Sequence, residues 1–230
     1  MSAVVEGDGS GLTPLSRLLV AHGRGAVGRR LALAFALDAR LAELVRSTSE
    51  PMIGAIRMAW WREALGVVES KRVEGAAGRG DPLVDALTPV FAVAADRAAL
   101  GAMIDGWEEL IDPADPGDAR LAAFAEGRGG LFALVAGDAA PSWVGAAGAG
   151  WALWDMAGHV RDAGLARRAM ALAGDRLAQA PVRGWSGRLA PLRLMTGLAR
   201  ADAVAGRVPT SGLTPALYRR FLWLALLRKG

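Results

Sequence analysis

The sequence predicts an all-α protein. Alanine and leucine, both good helix formers, dominate the 230 residues, and runs of β-branched residues are short. Apolar residues recur every three or four positions, as at Ile53, Ile56 and Trp60. Hydrophobic residues make up 53% of the chain and charged residues 22%, which excludes intrinsic disorder. We therefore expect one helical domain over residues 1–230, with residues 1–12 flexible.

The first helices are delimited by caps and by glycine and proline. Helix 1 is predicted to begin at Thr13-Pro14, because threonine can cap a helix and proline suits its first turn. The glycine-broken stretch HGRGAVGRR separates it from a long amphipathic helix over 27–46. Pro51 disfavours helix in the residue before it and starts the next helix, predicted over 52–70.

The rest of the chain continues this alternation of helices and breaks. The polar, glycine-rich segment 71–81 is a predicted loop, and DPADPGD at 112–118 is a clear helix breaker. The segment PVRGWSGR at 181–188 is another predicted loop. Apolar periodicity predicts the remaining helices over 99–112, 119–136, 143–162, 165–180, 189–205 and 214–228. The total is eight or nine helices, several of them apolar around more than half their circumference, which predicts a helix-lined core.

Composition excludes several classes of function. The chain has no cysteine, so disulfides, thiolate nucleophiles and cysteine-ligated zinc are excluded, and two histidines cannot build a multi-histidine metal site. Of the 27 basic residues only Lys71 and Lys229 are lysine, and the arginines are scattered among acidic residues. Nucleic-acid binders usually cluster these charges, so we expect no nucleic-acid partner. Since we find no targeting segment and no membrane span, we expect a cytoplasmic protein.

The segment FLWLALL at 221–227 admits two interpretations. It lies between Arg219 and Arg220 on one side and Arg228 and Lys229 on the other. The favoured interpretation is a last core helix with basic ends. The alternative is an amphipathic surface anchor, which would give the protein a peripheral contact with the inner membrane.

Three segments together resemble a known family. They are residues 50–65, which contain the string EP-x-x-G-x-x-R-x-x-WW, residues 99–137 and residues 148–162. In this order they resemble the squalene/phytoene synthase family of head-to-head prenyl-diphosphate synthases. The resemblance implies the isoprenoid (terpenoid) synthase fold, a helical bundle around a central apolar cavity. It also implies two D-x-x-x-D motifs that hold Mg²⁺ against the diphosphate of the substrate.

Both acidic motifs are incomplete. Asp38 is present in the first, but Ala42 stands four residues later; in the second, Asp162 follows Arg161 as in the family, but Ala166 stands four residues later. Residues at i and i+4 share a helix face, so each half retains one vestigial Mg²⁺ ligand, Asp38 or Asp162. The resemblance further implies Arg57, Trp61 and Arg161 as candidate substrate-binding residues. Arg57 and Trp61 also have a structural interpretation, in which Trp61 packs in the core and Arg57 pairs with a carboxylate.

These departures suggest a function without catalysis. A sequence that keeps the other family-like segments but has incomplete acidic motifs resembles the family's non-synthase branch. That branch includes a mitochondrial assembly factor for respiratory complex I. We therefore expect a non-catalytic isoprenoid-binding or assembly-type protein, with no cofactor of its own and with a protein partner. The first alternative is an active Mg²⁺-dependent prenyltransferase that uses Asp38, Asp162 and either Asp105 or Glu109. The second is a pure interaction module with a filled interior.

Three further clusters have a chemical and a structural interpretation. Asp155, His159 and Asp162 are spaced to meet on one helix face, as a small metal site or as a surface ion network. The acidic strip Asp105, Glu108, Glu109 and Asp112 is either a displaced Mg²⁺ site or a solvated face, and the latter is favoured. Gly127, Gly129 and Gly130 permit close helix approach or leave space for a chain-like ligand.

Overall fold

The computed structural model describes residues 12–67, 80–112, 114, 116–138 and 140–226. Every regular element in these residues is helical, which confirms the predicted all-α class. The elements are α1 (Pro14–His22), α2 (Ala26–Ser47), α3 (Pro51–Ala64), α4 (Pro82–Leu87), α5 (Ala94–Glu108), α6 (Gly117–Ala136), α7 (Val144–Ala157), α8 (Ala163–Ala178), α9 (Ala190–Val204) and α10 (Pro215–Leu226), with a 3₁₀ turn at Gly187–Leu189. Residues 1–11 and most of the predicted loop 71–81 lie outside the described residues.

Helix starts agree best with the sequence where a cap or a proline marks them. The Oγ1 of Thr13 accepts a hydrogen bond from the backbone N–H of Ser16, and Pro14 is the first residue of α1. Pro51 is likewise the first residue of α3. These two predictions are confirmed, because the signal is carried by adjacent residues.

Helix ends differ more from the prediction. The helix predicted over 52–70 ends at Ala64, and Gly66 adopts a φ of +66°, in the left-handed region that glycine favours. The helix predicted over 143–162 ends at Ala157. Asp162 instead caps α8, because its Oδ1 accepts a hydrogen bond from the N–H of Leu165 at 2.6 Å. The short helix α4 is not among the predicted ones.

The helices pack around one hydrophobic cluster. α5, α6, α7 and α8 lie side by side in chain order, α2 packs on α6, and α9 packs on α7 and α8. α3 lies at one side against α5, while α1 and α10 lie against α9. Much of α6 and α7 is buried, so a charged side chain on the inward side of either helix must find its partner inside the protein.

None of the described helices combines the length and the apolar character needed to cross a lipid bilayer.

Candidate functional site

A buried arginine joins three helices of the fold. Arg128, in the middle of α6, is only 5% exposed. Its Nε donates to Asp38 Oδ1 at 2.9 Å and its Nη2 to Asp38 Oδ2 at 2.7 Å. Nη2 also donates to Asp155 Oδ2 at 2.7 Å, and Nη1 donates to the carbonyl oxygen of Ala152 at 3.3 Å. One guanidinium thus joins α2, α6 and α7.

Aromatic rings enclose this ion pair. The indole Nε1 of Trp107 donates to Asp38 Oδ1 at 2.8 Å. The guanidinium carbon of Arg128 lies 4.7 Å from the ring centroid of Trp151, 4.9 Å from that of Trp107 and 5.8 Å from that of Phe124. Contacts at these distances combine cation–π attraction with exclusion of water. We call Asp38, Trp107, Arg128 and Asp155 the Arg128 cluster.

The electrostatics keep Arg128 charged. Burial by itself lowers the pKa of an arginine, but the charges of Asp38 and Asp155 outweigh burial and raise the pKa of Arg128 above its ordinary value. Two carboxylates and one guanidinium leave the cluster with a formal charge of −1. The side chain of Asp155 is the one that reaches solvent, since it is 25% exposed.

Glycines on α6 and α7 allow the helices around Arg128 to approach closely. A Cβ on Gly127 would lie 2.4 Å from the carbonyl oxygen of Ala102, and a Cβ on Gly148 would lie 2.5 Å from that of Gly129. α5 and α7 therefore approach α6 backbone to backbone on either side of Arg128. Of the two interpretations of these glycines, the structure shows close helix approach.

The Arg128 cluster does not suit Mg²⁺. Both oxygens of Asp38 are engaged by Arg128, and one of them also by Trp107, so Asp38 has a cation partner already. Asp162 is exposed at the start of α8 and shares no hydrogen-bond partner with Asp38. Within the described parts of the chain, no group of three or more histidine, aspartate or glutamate residues could hold a metal ion. The carboxylates of this cluster instead bind the guanidinium of Arg128.

The candidate substrate-binding residues lie in two places. Arg161 is exposed in the turn between α7 and α8. Arg57 and Trp61 line a shallow surface pocket of about 260 Å³ between α2 and α3, together with Arg40 and Trp60. Trp61 is buried and packs edge to face on Trp60, with ring centroids 5.1 Å apart.

Arg57 itself makes one weak polar contact. Its Nη1 lies 3.5 Å from the Oγ1 of Thr48, and the guanidinium is exposed. In the described structure it neither lies over the Trp61 ring nor pairs with a carboxylate. The structural interpretation is therefore correct for Trp61, which is buried. It is wrong for Arg57, which lies on the surface and is not paired with a carboxylate in the described structure.

The acidic strip of α5 is paired with arginines. Arg62 donates to Asp105 Oδ1 from its Nε at 2.8 Å and also binds Glu108. Burial lowers the pKa of Arg62, but these two carboxylates outweigh it and raise that pKa. Glu109 and Asp112 lie 3.6 and 3.7 Å from the guanidinium of a second arginine, Arg120. The strip is a partly solvated ionic face.

The predicted meeting of Asp155, His159 and Asp162 on one helix does not occur, since α7 ends before His159. The Nδ1 of His159 lies 2.8 Å from the backbone oxygen of Asp155 and 3.8 Å from its Oδ2. Asp162 is used as the cap of α8.

Sequence reasoning missed a second buried cluster. Asp202 on α9 is 1% exposed and accepts hydrogen bonds from Trp154 Nε1 at 3.0 Å, Arg207 Nε at 2.9 Å and Arg220 Nη1 at 2.5 Å. Burial raises the pKa of Asp202, but Arg220, Trp154 and Arg207 outweigh it and the net effect lowers that pKa. We call these four residues the Asp202 cluster.

One signal could have indicated Arg128 beforehand. It is the single basic residue in the largely apolar and glycine-rich run LAAFAEGRGGLFALVA, at 121–136, in which Glu126 is the other charged residue. A charged residue in a helix that is apolar on all sides requires a buried partner.

Comparison with known proteins gives no relative: no family model, no curated protein and no solved structure matches the chain.

Proposed function

We propose that this chain is a squalene/phytoene synthase-like protein, built on the isoprenoid synthase fold, that does not catalyse prenyl transfer and acts by binding a protein partner. The observation that carries the proposal is the guanidinium of Arg128 on both oxygens of Asp38. In an active member of the family that carboxylate is free to bind Mg²⁺. Here a cation that is part of the chain occupies it.

The packing beside Asp38 favours an assembly-type role over isoprenoid binding. Where the resemblance implies a central apolar cavity, the space beside Asp38 holds the side chain of Arg128 with the rings of Trp107 and Trp151. A prenyl chain needs this volume for itself.

The outer surface of α3 supports an interaction role. Met52 is 76% exposed and Ile56 is 63% exposed, and Ile53 lies beside them. Large apolar side chains that share one exposed helix face are typical of protein-binding surfaces. The adjoining pocket adds Arg57 and Trp60, residue types that are enriched at interfaces.

The absence of catalysis is tested with farnesyl diphosphate and Mg²⁺. We expect pyrophosphate release at the background rate. We also expect no rise in unfolding temperature when Mg²⁺ is added, since such a rise would indicate that the folded state binds the cation. Asp162→Asn is the matched variant, since asparagine caps a helix as well as aspartate does. Release above background in the natural chain that is lost in Asp162→Asn would contradict the proposal.

The interaction role is tested by placing a photo-cross-linking residue at Ile56 in the native cell. We expect a discrete protein adduct there, and none from the same residue at Ala171, which is exposed on α8. Equal adducts at both positions, or none at Ile56, would contradict a partner on α3.

A further inference from the structure

The last described helix, α10, has two unlike sides. Leu217 and Phe221 are buried, and Phe221 packs edge to face on the ring of His22 in α1 at a centroid distance of 4.8 Å. These inner side chains fix α10 to the body of the protein. Its attachment therefore does not require the apolar residues on its other side.

The outward side of α10 is aromatic and aliphatic. Tyr218, Leu222, Trp223 and Leu226 are all exposed, Trp223 by 62% and Leu226 by 78%. At about 100° per residue these side chains and exposed Arg219 fall within an arc of about 140°. We call these five residues the α10 face.

The charged residues of the chain segment that carries α10 have one sign. Between residue 203 and Gly230 the sequence has no aspartate or glutamate and has five basic residues: Arg207, Arg219, Arg220, Arg228 and Lys229. Asp202 engages two of them, Arg207 and Arg220. The segment that carries the α10 face is therefore complementary to a negatively charged surface.

We propose that the α10 face binds the surface of an anionic phospholipid bilayer. Tryptophan and tyrosine favour the headgroup region, leucine enters the acyl boundary, and arginine attracts anionic headgroups. The twelve residues of α10 extend about 18 Å, well short of the roughly 30 Å hydrocarbon core. The helix therefore lies along the surface of the membrane.

The exposed face of α3 shows why charge distinguishes the two surfaces. Met52 and Ile56 on α3 are as exposed as the residues of α10, but the charges on that helix are mixed, since exposed Arg57 follows Ile56 and Glu63 lies on the same side as Ile56 seven positions later. An acidic residue within an apolar face disfavours an anionic membrane and is acceptable in a protein interface. α3 therefore provides the matched control.

The test is flotation of the full chain with vesicles of phosphatidylcholine and phosphatidylglycerol in equal parts, compared with phosphatidylcholine alone. We expect binding to the mixed vesicles that weakens as salt is added, because salt screens the arginines. The double variant Trp223→Ser/Leu226→Ser should lower the partition coefficient about tenfold or more, since it removes two large apolar side chains. Met52→Ser/Ile56→Ser on α3 should bind as the natural chain does.

Several outcomes would overturn the proposal. Equal binding to both kinds of vesicle, no binding to either, or unchanged binding by the α10 variant would each do so. If vesicles are not bound and the α10 variant converts a dimer to a monomer in analytical ultracentrifugation, the face is a contact between copies of the chain. All the substituted residues are exposed, so circular dichroism should confirm that the variants fold. The vesicle result is the same whether or not the chain is catalytic.

Discussion

The two sides of α7 carry the same kinds of residue in opposite proportions. On one side, Asp155 joins the Arg128 cluster, in which two carboxylates share one guanidinium. On the other side, the adjacent Trp154 joins the Asp202 cluster, in which one carboxylate is shared by two guanidinium groups. In both, an indole N–H also binds the buried carboxylate. The formal charges are therefore −1 and +1.

The clusters differ in their access to solvent. Arg128 is buried among aromatic rings, whereas the side chains of Arg207 and Arg220 are 56% and 31% exposed. An arginine that reaches water can be rehydrated when its partner is lost, but a buried carboxylate cannot. The closed cluster should therefore be the more sensitive of the two to loss of one partner.

The largest expected effect is that of Arg128→Met. This substitution keeps much of the side-chain volume and leaves Asp38 without its buried counter-charge, so it should lower the free energy of unfolding by about 3–5 kcal/mol, measured by urea denaturation. The matched control is Arg176→Met, which breaks the exposed pair with Glu126 and should cost about 1 kcal/mol or less. Similar losses in the two variants would mean that the Arg128 cluster is not a special element of this fold.

Asp202→Asn should have the next largest effect, about 1.5–3 kcal/mol at neutral pH. Asparagine keeps an acceptor for Trp154 but loses the charge that holds Arg207 and Arg220. The pKa of Asp202 is lowered in the folded state, so its stabilisation is complete above the unfolded pKa of about 3.9 and disappears as the pH falls through the folded pKa. The variant and the natural chain should thus converge in stability in acid. A difference that does not change with pH would contradict an ionised Asp202.

The smallest of the three effects is expected for Gly148→Ala, about 1–3 kcal/mol from overpacking. The new methyl group would lie 2.5 Å from the carbonyl oxygen of Gly129 and push α7 away from α6, which should weaken the Arg128 cluster and not the Asp202 cluster. Gly145→Ala, on the same helix with nothing within 4 Å of its Cβ position, should be neutral or stabilising. Equal melting temperatures for the two variants would show that α6 and α7 do not depend on this close approach.

The features of the fold that the sequence predicts correctly are those that depend on residues adjacent in the chain. The all-α class, the cap at Thr13 and the start at Pro51 depend on neighbours in the chain, and the structure confirms them. The prediction places the ends of α3 and α7 too late. Beyond α3 the apolar residues continue with Leu65 and Val67, whereas beyond α7 the segment GHVRD contains only Val160 as a large apolar residue. Such ends are the least reliable part of any sequence-based assignment.

The clusters were beyond local prediction because their partners are distant in sequence. Asp38 and Arg128 are 90 positions apart, and Trp154 and Asp202 are 48 apart. The family resemblance implies that Asp38 is a vestigial metal ligand, and nothing around it in the sequence indicates an arginine partner. The family itself, the isoprenoid synthase fold and the function remain predictions.

The cation at Asp38 is the side chain of Arg128, so every copy of the chain carries it from synthesis. The stoichiometry at Asp38 is then always one to one, and neither a chelator nor a shortage of magnesium in the cell can remove it. Because the guanidinium remains protonated at every pH at which proteins fold, the cation beside Asp38 is permanent. Filling of this one site should accordingly need no loading step, whatever the supply of ions around the protein.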